Sequence, residues 1–246
     1  MKRFYCDFHI HTCLSPCADI TMVPNVVGEK LQEVGIDWIA IVDHNSTKNV
    51  RVFKNTLKKY GIEVLPGIEV QTLEEVHVLG YFESIESAES FGDFIYSKLP
   101  DFEIDEEHFG YQLLVNERDE YIARELKNLS FPVNLTLEQV VKELKKFNAI
   151  VAYAHIYREF GIVYQLGLIP ESLKVDAIEI SNFRKHNTIN LDNSLPIIVS
   201  SDAHNLDSIV KPRMIVECES RSYVELLKAL KGLDGRRIII EPQNDS

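Results

Sequence analysis

Nine short apolar runs separated by amphipathic stretches constrain the fold of this 246-residue chain more than any other feature. Most of these runs are rich in Ile and Val and alternate little, which is typical of strands buried on both faces, as in parallel sheets. They cover residues 3–8, 37–42, 62–70, 76–81, 149–154, 175–180, 196–200, 213–217 and 237–241.

The stretches between the runs carry helix signals. Two of them end at Gly35 and Gly61, which are typical helix stops. Two others begin at Thr136 and Ser222, each followed three residues later by the Gln or Glu of a capping box. Strand and helix alternation of this kind predicts βα units and a parallel sheet, either open or closed into a barrel.

Residues 82–130 interrupt this alternation. The segment is acidic, and its pattern predicts mostly helical or irregular structure. Because the chain has no internal repeat and no Gly/Ser linker, we interpret the segment as an excursion or small cap on a single domain that covers residues 1–246.

Composition limits the partners and the compartment. The 26 basic and 38 acidic side chains give a formal charge of −12, which argues against binding of duplex nucleic acid through the general field of the protein. No apolar stretch has the length of a signal peptide core or a membrane helix, so we expect a cytoplasmic protein that does not bind membranes. The four scattered cysteines predict reduced, buried thiols, although a metal role for Cys13 and Cys17 stays open.

Six of the eight histidines lie at or near the ends of apolar runs. His9 and His11 are two residues apart on one predicted strand, so their imidazoles point to the same face. Any one such histidine is more often a hydrogen-bonded structural residue than a ligand, but the whole set predicts a metal site where α/β folds place their chemistry. The set continues with His44, Glu69, His77, His155, Asp202 and His204, of which His77 is exceptional because it lies inside its run.

Six motifs in this order resemble those of the PHP family, which is named for polymerase and histidinol phosphatase domains. They are DFHIHTCLS, VDHN, GIE, HVLGY, YAHIYR and SSDAH, and they extend from Asp7 to His204. The resemblance implies an α/β fold, a distorted TIM-like (βα) barrel of roughly seven strands, with a cluster of up to three divalent ions at the C-terminal ends of the strands.

The resemblance also implies a ligand set. The first ion would be held by His9, His11, Glu69 and Asp202; the second by Glu69, His77 and His155; the third by His44, His204 and an acid from the loop after the first strand. Family members often place that acid directly after Ser15, where this chain has Pro16. Asp19 is the only acid in this loop, so we expect it to complete the third site, with water as the alternative.

Imidazole and carboxylate ligands together favour zinc, manganese or iron. Such a cluster predicts a phosphoesterase in which a hydroxide that bridges two ions attacks phosphorus. We expect Arg158 or Arg184 to contact the phosphate, although ordinary surface ion pairs fit them equally. Metal-bound water, His108 or His186 would serve as general acid, and Asp7, Asp43 and Asn45 either orient ligands or cap local structure.

The expected substrate is a small phosphate monoester or nucleotide, such as a nucleoside phosphate or bisphosphate, or the end of a short oligonucleotide. One alternative is a histidinol-phosphate phosphatase, with a small amino-alcohol phosphate as substrate. A second alternative, of another class, is a non-catalytic regulatory PHP module that binds metal without turnover. Retention of nearly the whole implied ligand set favours an enzyme.

Overall fold

The computed structural model describes residues 1–180 and 195–241. These residues form eleven strands, namely β1 Lys2–Ile10, β2 Trp38–Ile41, β3 Glu63–Gln71, β4 His77–Tyr81, β5 Leu113–Val115, β6 Tyr121–Arg124, β7 Ile150–Tyr153, β8 Ala177–Glu179, β9 Ile197–Ile198, β10 Met214–Cys218 and β11 Arg237–Ile240. They also form seven α-helices, namely α1 Pro24–Val34, α2 Val50–Leu57, α3 Ile85–Tyr96, α4 Glu106–Phe109, α5 Leu137–Lys146, α6 Ile162–Leu166 and α7 Tyr223–Leu230.

Local sequence signals set the helix ends where they were predicted. Gly35 and Gly61 both adopt the left-handed conformation, with φ of 80° and 72°, at the C-terminal ends of their helical segments. The capping box is complete at Thr136, and the Ser222 side chain accepts a hydrogen bond from the backbone of Glu225. Among the described ranges, no helix is both long and apolar enough to span a membrane.

Nine strands, one from each predicted run, form a single mixed sheet in the order β11-β10-β1-β2-β3-β4-β7-β8-β9. The predicted parallel pairing is found for β1 with β2, β2 with β3, β7 with β8 and β8 with β9. It is wrong elsewhere, because β4 runs antiparallel to both β3 and β7, and β10 runs antiparallel to β1. Residues 72–76, which join β3 to β4, are too few for a crossover connection, so these strands pair as a hairpin.

The sheet is nearly closed into a barrel because β1, an interior strand, also contacts the segment that follows the last strand in the order, β9. The first half of β1 pairs with β10, from Lys2 opposite Cys218 to Cys6 opposite Met214. Its end forms a parallel bridge between Ile10 and Ala203, which follows β9. The α/β barrel-like class is therefore confirmed, whereas the count of seven strands is not, since the sheet has nine.

Apolar residues are buried on both faces of the sheet, which explains why the runs do not alternate. One buried cluster gathers residues from most of the strands, including Phe8, Trp38 and Leu79. Two other clusters lie under the helices, one against α1 and α2 and the other against α3 and α5.

The excursion at residues 82–130 contains α3 and α4, as its helical pattern predicted, and also a hairpin of β5 and β6 that the sequence did not predict. Helix α3 buries Phe91 fully, in the same cluster as Ile68 and Val78 of the barrel strands. That shared core supports the interpretation of a single domain. The single domain stays a prediction.

We expect Phe91→Ala to lower the free energy of unfolding of the whole chain by about 3–5 kcal/mol, because it leaves a cavity in the core shared by α3 and the barrel. Phe102→Ala is the matched control in the same segment: its side chain is 63% exposed, and we expect a loss of about 0.5 kcal/mol. Denaturant unfolding followed by circular dichroism measures both. A separate early transition for the excursion would contradict the single-domain interpretation.

Candidate metal centre

The polar residues predicted as ligands meet at one edge of the barrel. His9 lies near the end of β1 and His11 directly follows it, His44 follows β2, and His155 follows β7. His77, the exception in the sequence pattern, is the first residue of β4, whose antiparallel direction brings its start to the edge where the other strands end. Strand direction thus explains why this ligand candidate precedes its run instead of following it.

Glu69 lies at the centre of the cluster and is fully buried. Its two carboxylate oxygens lie 3.0–3.4 Å from ring nitrogens of His9, His11, His44, His77 and His155. Asp202 forms a second centre, with Oδ1 at 3.2 Å from His9, 3.3 Å from His11 and 3.5 Å from His204. The structure therefore brings together eight of the nine predicted metal ligands.

Hydrogen bonds fix the tautomer of His11. The Ser15 hydroxyl donates to Asp43 at 2.8 Å, since an ionised carboxylate can only accept. Ser15 must therefore accept the hydrogen on Nδ1 of His11, which lies 2.9 Å away. Nε2 of a neutral His11 consequently has no hydrogen and directs its lone pair into the cluster.

Glu179 fixes the tautomer of His9 in the same way. This fully buried carboxylate accepts from Nδ1 of His9 at 2.8 Å and from the backbone N–H of His155 at 3.0 Å. Glu179 was not among the residues predicted from the sequence, although its carboxylate within the apolar run at 175–180 was the available signal. Because a buried charge needs partners, its position in that run indicates a specific contact.

The cluster is electron-rich and short of hydrogen-bond donors. Nε2 of His9 and Nε2 of His11 are 3.1 Å apart, and both face Asp202 and Glu69. Oε2 of Glu69 and Nδ1 of His44 are 3.0 Å apart, yet both are buried without a hydrogen bond. Such groups are costly to bury unpaired, and a divalent cation satisfies them together, so these residues fit a metal centre.

Three groups of side chains within the described residues have ligand atoms close enough to share an ion, all within 4.8 Å of one another. They are His9 with His11 and Asp202; His44 with Glu69 and His77; and His11 with His44 and His204. The groups overlap, so neighbouring ions would share ligands.

The pKa values of His9 and Glu69 are shifted in the directions that favour positive charge on the rings and negative charge on the carboxylate. Burial lowers the pKa of His9, but the carboxylates of Glu179, Asp202 and Glu69 outweigh it and raise that pKa well above its usual value. Burial raises the pKa of Glu69, but the surrounding histidines, His77 first, hold it well below its usual range. A proton on His9 thus occupies the place that a metal cation would take.

His77 differs from the other rings because burial outweighs its carboxylate partner and lowers its pKa to about 4. The ring also stacks on Phe160, with centroids 4.8 Å apart and planes 7° apart. At neutral pH His77 is therefore an uncharged, oriented imidazole, which is the form that binds metal.

The structure does not bring Asp19 into the cluster. Its carboxylate is exposed and accepts hydrogen bonds from the backbone and hydroxyl of Thr21, both at 2.8 Å. The side chain of this loop that lies beside His44 and His204 is Cys17. Burial raises the pKa of the Cys17 thiol, but the two histidines outweigh it and lower that pKa to about 5.

The prediction of buried thiols holds for Cys6, Cys13 and Cys218 and is wrong for Cys17, which is exposed. Cys13 is four residues away, but its thiol donates to the carbonyl of Leu113 at 3.6 Å, on the other side of the loop. The possible metal role that the sequence left open for both cysteines is therefore consistent only with the position of Cys17.

The cluster opens into a cavity of about 200 Å³ that is lined in part by Cys17, Arg158 and Phe160. Arg158 donates to Oδ2 of Asp202 at 2.8 Å, while 54% of its side chain stays exposed. Arg184 and His186 lie outside the described residues. His108 lies on the exposed α4 and does not line this cavity.

Four of the eight non-glycine residues with positive φ in the described ranges lie around the cluster. Asn45, His155, Phe160 and Asp202 all have positive φ, of 49°, 23°, 62° and 54°. Conformations of this kind cost energy for residues other than glycine and persist where surrounding contacts enforce them. Asn45 shows such contacts, because its amide donates to the carbonyls of Leu129 and Phe131.

Two of the residues predicted to orient ligands do contact the ligand-bearing segments. The carboxylate of Asp43 accepts hydrogen bonds from the Ser15 hydroxyl and the backbone N–H of Thr12. Oδ1 of Asp7 accepts hydrogen bonds from the backbone N–H groups of His9 and Ser201. Asp7 thereby ties the end of β1 to the segment that carries Asp202. Asn45 contributes differently, by attaching the excursion to the loop after β2.

Comparison with known proteins supports the fold. No family model matches the chain. The protein YqxK of Bacillus subtilis, described as uncharacterized, is 22% identical over 276 residues, which cover 97% of this chain and 65% of that protein. The structure of the lesion-specific endonuclease EndoQ from Pyrococcus furiosus is similar with a TM-score of 0.71 at 17% identity, over 96% of this chain and 58% of that one.

A two-domain protein from Bacteroides vulgatus that contains a predicted PHP-like metal-dependent phosphoesterase is also similar. Its TM-score is 0.53 at 17% identity, over 96% of this chain and 64% of that one. This chain thus spans less than two thirds of the length of each of these relatives.

One partner prediction is overturned by a further structure with this fold. Endonuclease Q in complex with a 27-mer duplex, with an abasic lesion at the active site, matches with a TM-score of 0.67 over 96% of this chain. The exclusion of duplex nucleic acid is therefore wrong. Net charge sums the whole surface, whereas contact with a phosphate backbone depends on the local field at the site.

The fold implied by the motifs is confirmed by these similarities. Over nearly its whole length, this chain has the fold of the PHP-like metal-dependent phosphoesterases.

Proposed function

We propose that this chain is a metal-dependent hydrolase of phosphoester bonds. The observation that carries the proposal is the convergence of the Nε2 atoms of His9 and His11, which have no hydrogen when the rings are neutral, on Asp202 and Glu69. Four electron-rich atoms at such distances require a cation, and imidazole with carboxylate is the ligand set of hydrolytic zinc, manganese and iron.

We infer up to three ions, zinc, manganese or iron, held by the residues of the overlapping groups. His155 joins them through its contact with Glu69 at 3.2 Å. Ions at these positions would act as Lewis acids that activate water and polarise the phosphoryl oxygens. The carboxylate of Glu69 positions the rings around it. Glu179 and Ser15 keep the single hydrogen of neutral His9 and neutral His11 on Nδ1, so that Nε2 is the ligand nitrogen.

Arg158 is the residue that we propose to bind the phosphate. Its guanidinium is anchored on Asp202 yet half-exposed at the cavity, so it can contact an entering phosphoryl oxygen without losing its anchor. Arg184, outside the described residues, remains the second candidate from the sequence.

The size of the cavity bears on the substrate. About 200 Å³ is less than the 300–1,000 Å³ of typical ligand pockets, so it accommodates a phosphoryl group but not a whole nucleotide. We therefore propose that only the phosphate enters and that the rest of the substrate stays at the mouth. A small phosphate monoester, a nucleotide or the end of an oligonucleotide fits this arrangement.

A second candidate is cleavage of a phosphodiester within a nucleic acid strand. The observation that favours it is the Endonuclease Q complex, in which a protein of this fold has a duplex lesion at its active site. A cavity that admits only the phosphate does not distinguish an internal phosphate from a terminal one. The two candidates differ in product, which is inorganic phosphate for one and a nicked strand for the other.

The test is metal analysis of the purified chain together with a substrate panel. The panel contains histidinol phosphate, nucleoside monophosphates and bisphosphates, a short 5′-phosphorylated RNA and a duplex with an abasic lesion. Release of phosphate or of a nicked strand with added Zn²⁺, Mn²⁺ or Fe²⁺ supports the proposal and selects the substrate class. Bound metal with no turnover on the whole panel would instead favour the regulatory module.

We expect His9→Ala and Asp202→Asn each to lose both bound metal and turnover, because each removes an atom of the converging set. Elemental analysis and the phosphate or nicking assay measure the two losses, and circular dichroism verifies the fold. Asp207→Asn, an exposed carboxylate five residues after Asp202, is the matched control and should behave as the unmodified chain. Unchanged turnover in either ligand variant would refute the metal mechanism.

Glu179→Gln should lower metal affinity by about 10- to 100-fold, since Glu179 touches no proposed ion but holds His9 in its ligand tautomer. Competition with a chromogenic chelator measures the affinity. Glu171→Gln, on the exposed surface, is the control. An affinity equal to that of the unmodified chain would show that the bond from Glu179 to His9 is not needed.

Metal binding should release protons near neutral pH. The carboxylates overcome the effect of burial and raise the pKa values of His9 and His11 above the usual value, so part of these rings is protonated before an ion binds. Affinity should therefore fall as pH falls and level off at high pH, where the rings are neutral. Calorimetry in buffers of different ionisation enthalpy counts the protons, and a count of zero at pH 7 would contradict this assignment.

A further inference from the structure

The group formed by His11, His44 and His204 lacks a carboxylate. The ring centroids of His11 lie 4.0 Å from His204 and 4.5 Å from His44, and the ligand atoms of all three lie within 4.8 Å of one another. His44 is nine-tenths buried, and its Nδ1 has no hydrogen-bond partner. The group therefore offers imidazoles to an ion but no negative charge of its own.

Cys17 can offer the missing negative charge when its thiol gives up a proton. Its side chain lines the same cavity as His44 and His204. Asp19, the acid that the resemblance put in this role, directs its carboxylate to Thr21 instead. Cys17 is thus the residue of this loop whose side chain faces the two histidines.

Backbone contacts hold Cys17 in place from both sides. Before it, Ser15 is fixed by Asp43 and accepts a backbone hydrogen bond from Ala18 at 2.9 Å. After it, the backbone N–H of Asp19 donates to the carbonyl of His204 at 2.7 Å. That last bond attaches the loop directly to one of the two histidines.

The β5–β6 hairpin supports the outer side of this loop. The backbone N–H of Leu113 donates to the carbonyl of Cys13 at 2.8 Å, and the hydroxyl of Tyr121 donates to the carbonyl of Ile20 at 3.0 Å. Cys17 lies between these two attachments. Hydrogen bonds therefore hold the loop on both sides of Cys17, so the surrounding structure fixes its position beside His44 and His204.

We propose that the Cys17 thiolate binds an ion together with His44 and His204, in the place that an acid takes in the PHP resemblance. The inference rests on the metal centre of the proposed function and adds a sulfur ligand to it. On binding, the thiol gives its proton to solvent and its sulfur lone pair to the ion. Thiolate is a soft ligand, so this position selects zinc or iron over manganese or magnesium.

The test uses the intact chain loaded with Co²⁺ as a spectroscopic substitute for Zn²⁺. We expect a near-ultraviolet charge-transfer band from thiolate to cobalt in the unmodified chain, and X-ray absorption of the zinc form should show a sulfur neighbour at about 2.3 Å. Cys17→Ser should lose the band and a single equivalent of metal per chain. Cys17→Asp should recover the equivalent without the band and should accept Mn²⁺.

Cys218→Ser is the matched control, because this buried thiol donates to the carbonyl of Ser220 and should leave the band unchanged. Circular dichroism verifies the fold of each variant. If the chain binds metal but shows no band, or keeps the band in Cys17→Ser, the sulfur ligand is refuted while the proposed function stands. If the folded chain binds no metal at all, the proposed function fails together with this inference.

Discussion

The contact between one buried carboxylate, Glu69, and the rings of five histidines is the interaction on which the rest of the structure depends. Those histidines lie at the ends of β1, β2 and β7 and at the start of β4, so the strand ends must converge within about one side-chain length. A flat sheet separates neighbouring strands by about 4.8 Å, so it cannot do this across these four strands and β3, which carries Glu69. The nearly closed barrel, with the bridge between Ile10 and Ala203, brings them together.

This convergence is costly for the protein without ions. Buried ring nitrogens and carboxylate oxygens lack donors, and positive φ at His155 and Asp202 adds backbone strain. The surrounding core keeps the arrangement in place, including Phe91 of the excursion. A metal ion that binds only the folded state raises the free energy of unfolding, so metal binding and folding should be linked.

The excursion at residues 82–130 has a structural role beyond its acidic surface. Its hairpin contacts both ends of the loop that carries Cys17, and the Asn45 amide donates to the carbonyls of Leu129, within the excursion, and of Phe131, directly after it. Most of its charge faces solvent, which is why a whole-chain sum of −12 was a poor guide to partners. The field at the cluster depends on the ligands, any bound ions and Arg158, all local to the barrel edge.

The sequence alone determined the nine sheet strands and nearly all of the cluster, because apolar runs and the polar residues that end them are local patterns. It could not determine the direction of β4, and so the reason for the position of His77, because pairing direction depends on connections in space. It also missed Glu179 and favoured Asp19 over Cys17. A contact across 170 residues and the path of one anchored loop leave no periodic signal in the chain, and only the tertiary structure decides which side chain of that loop lines the cavity.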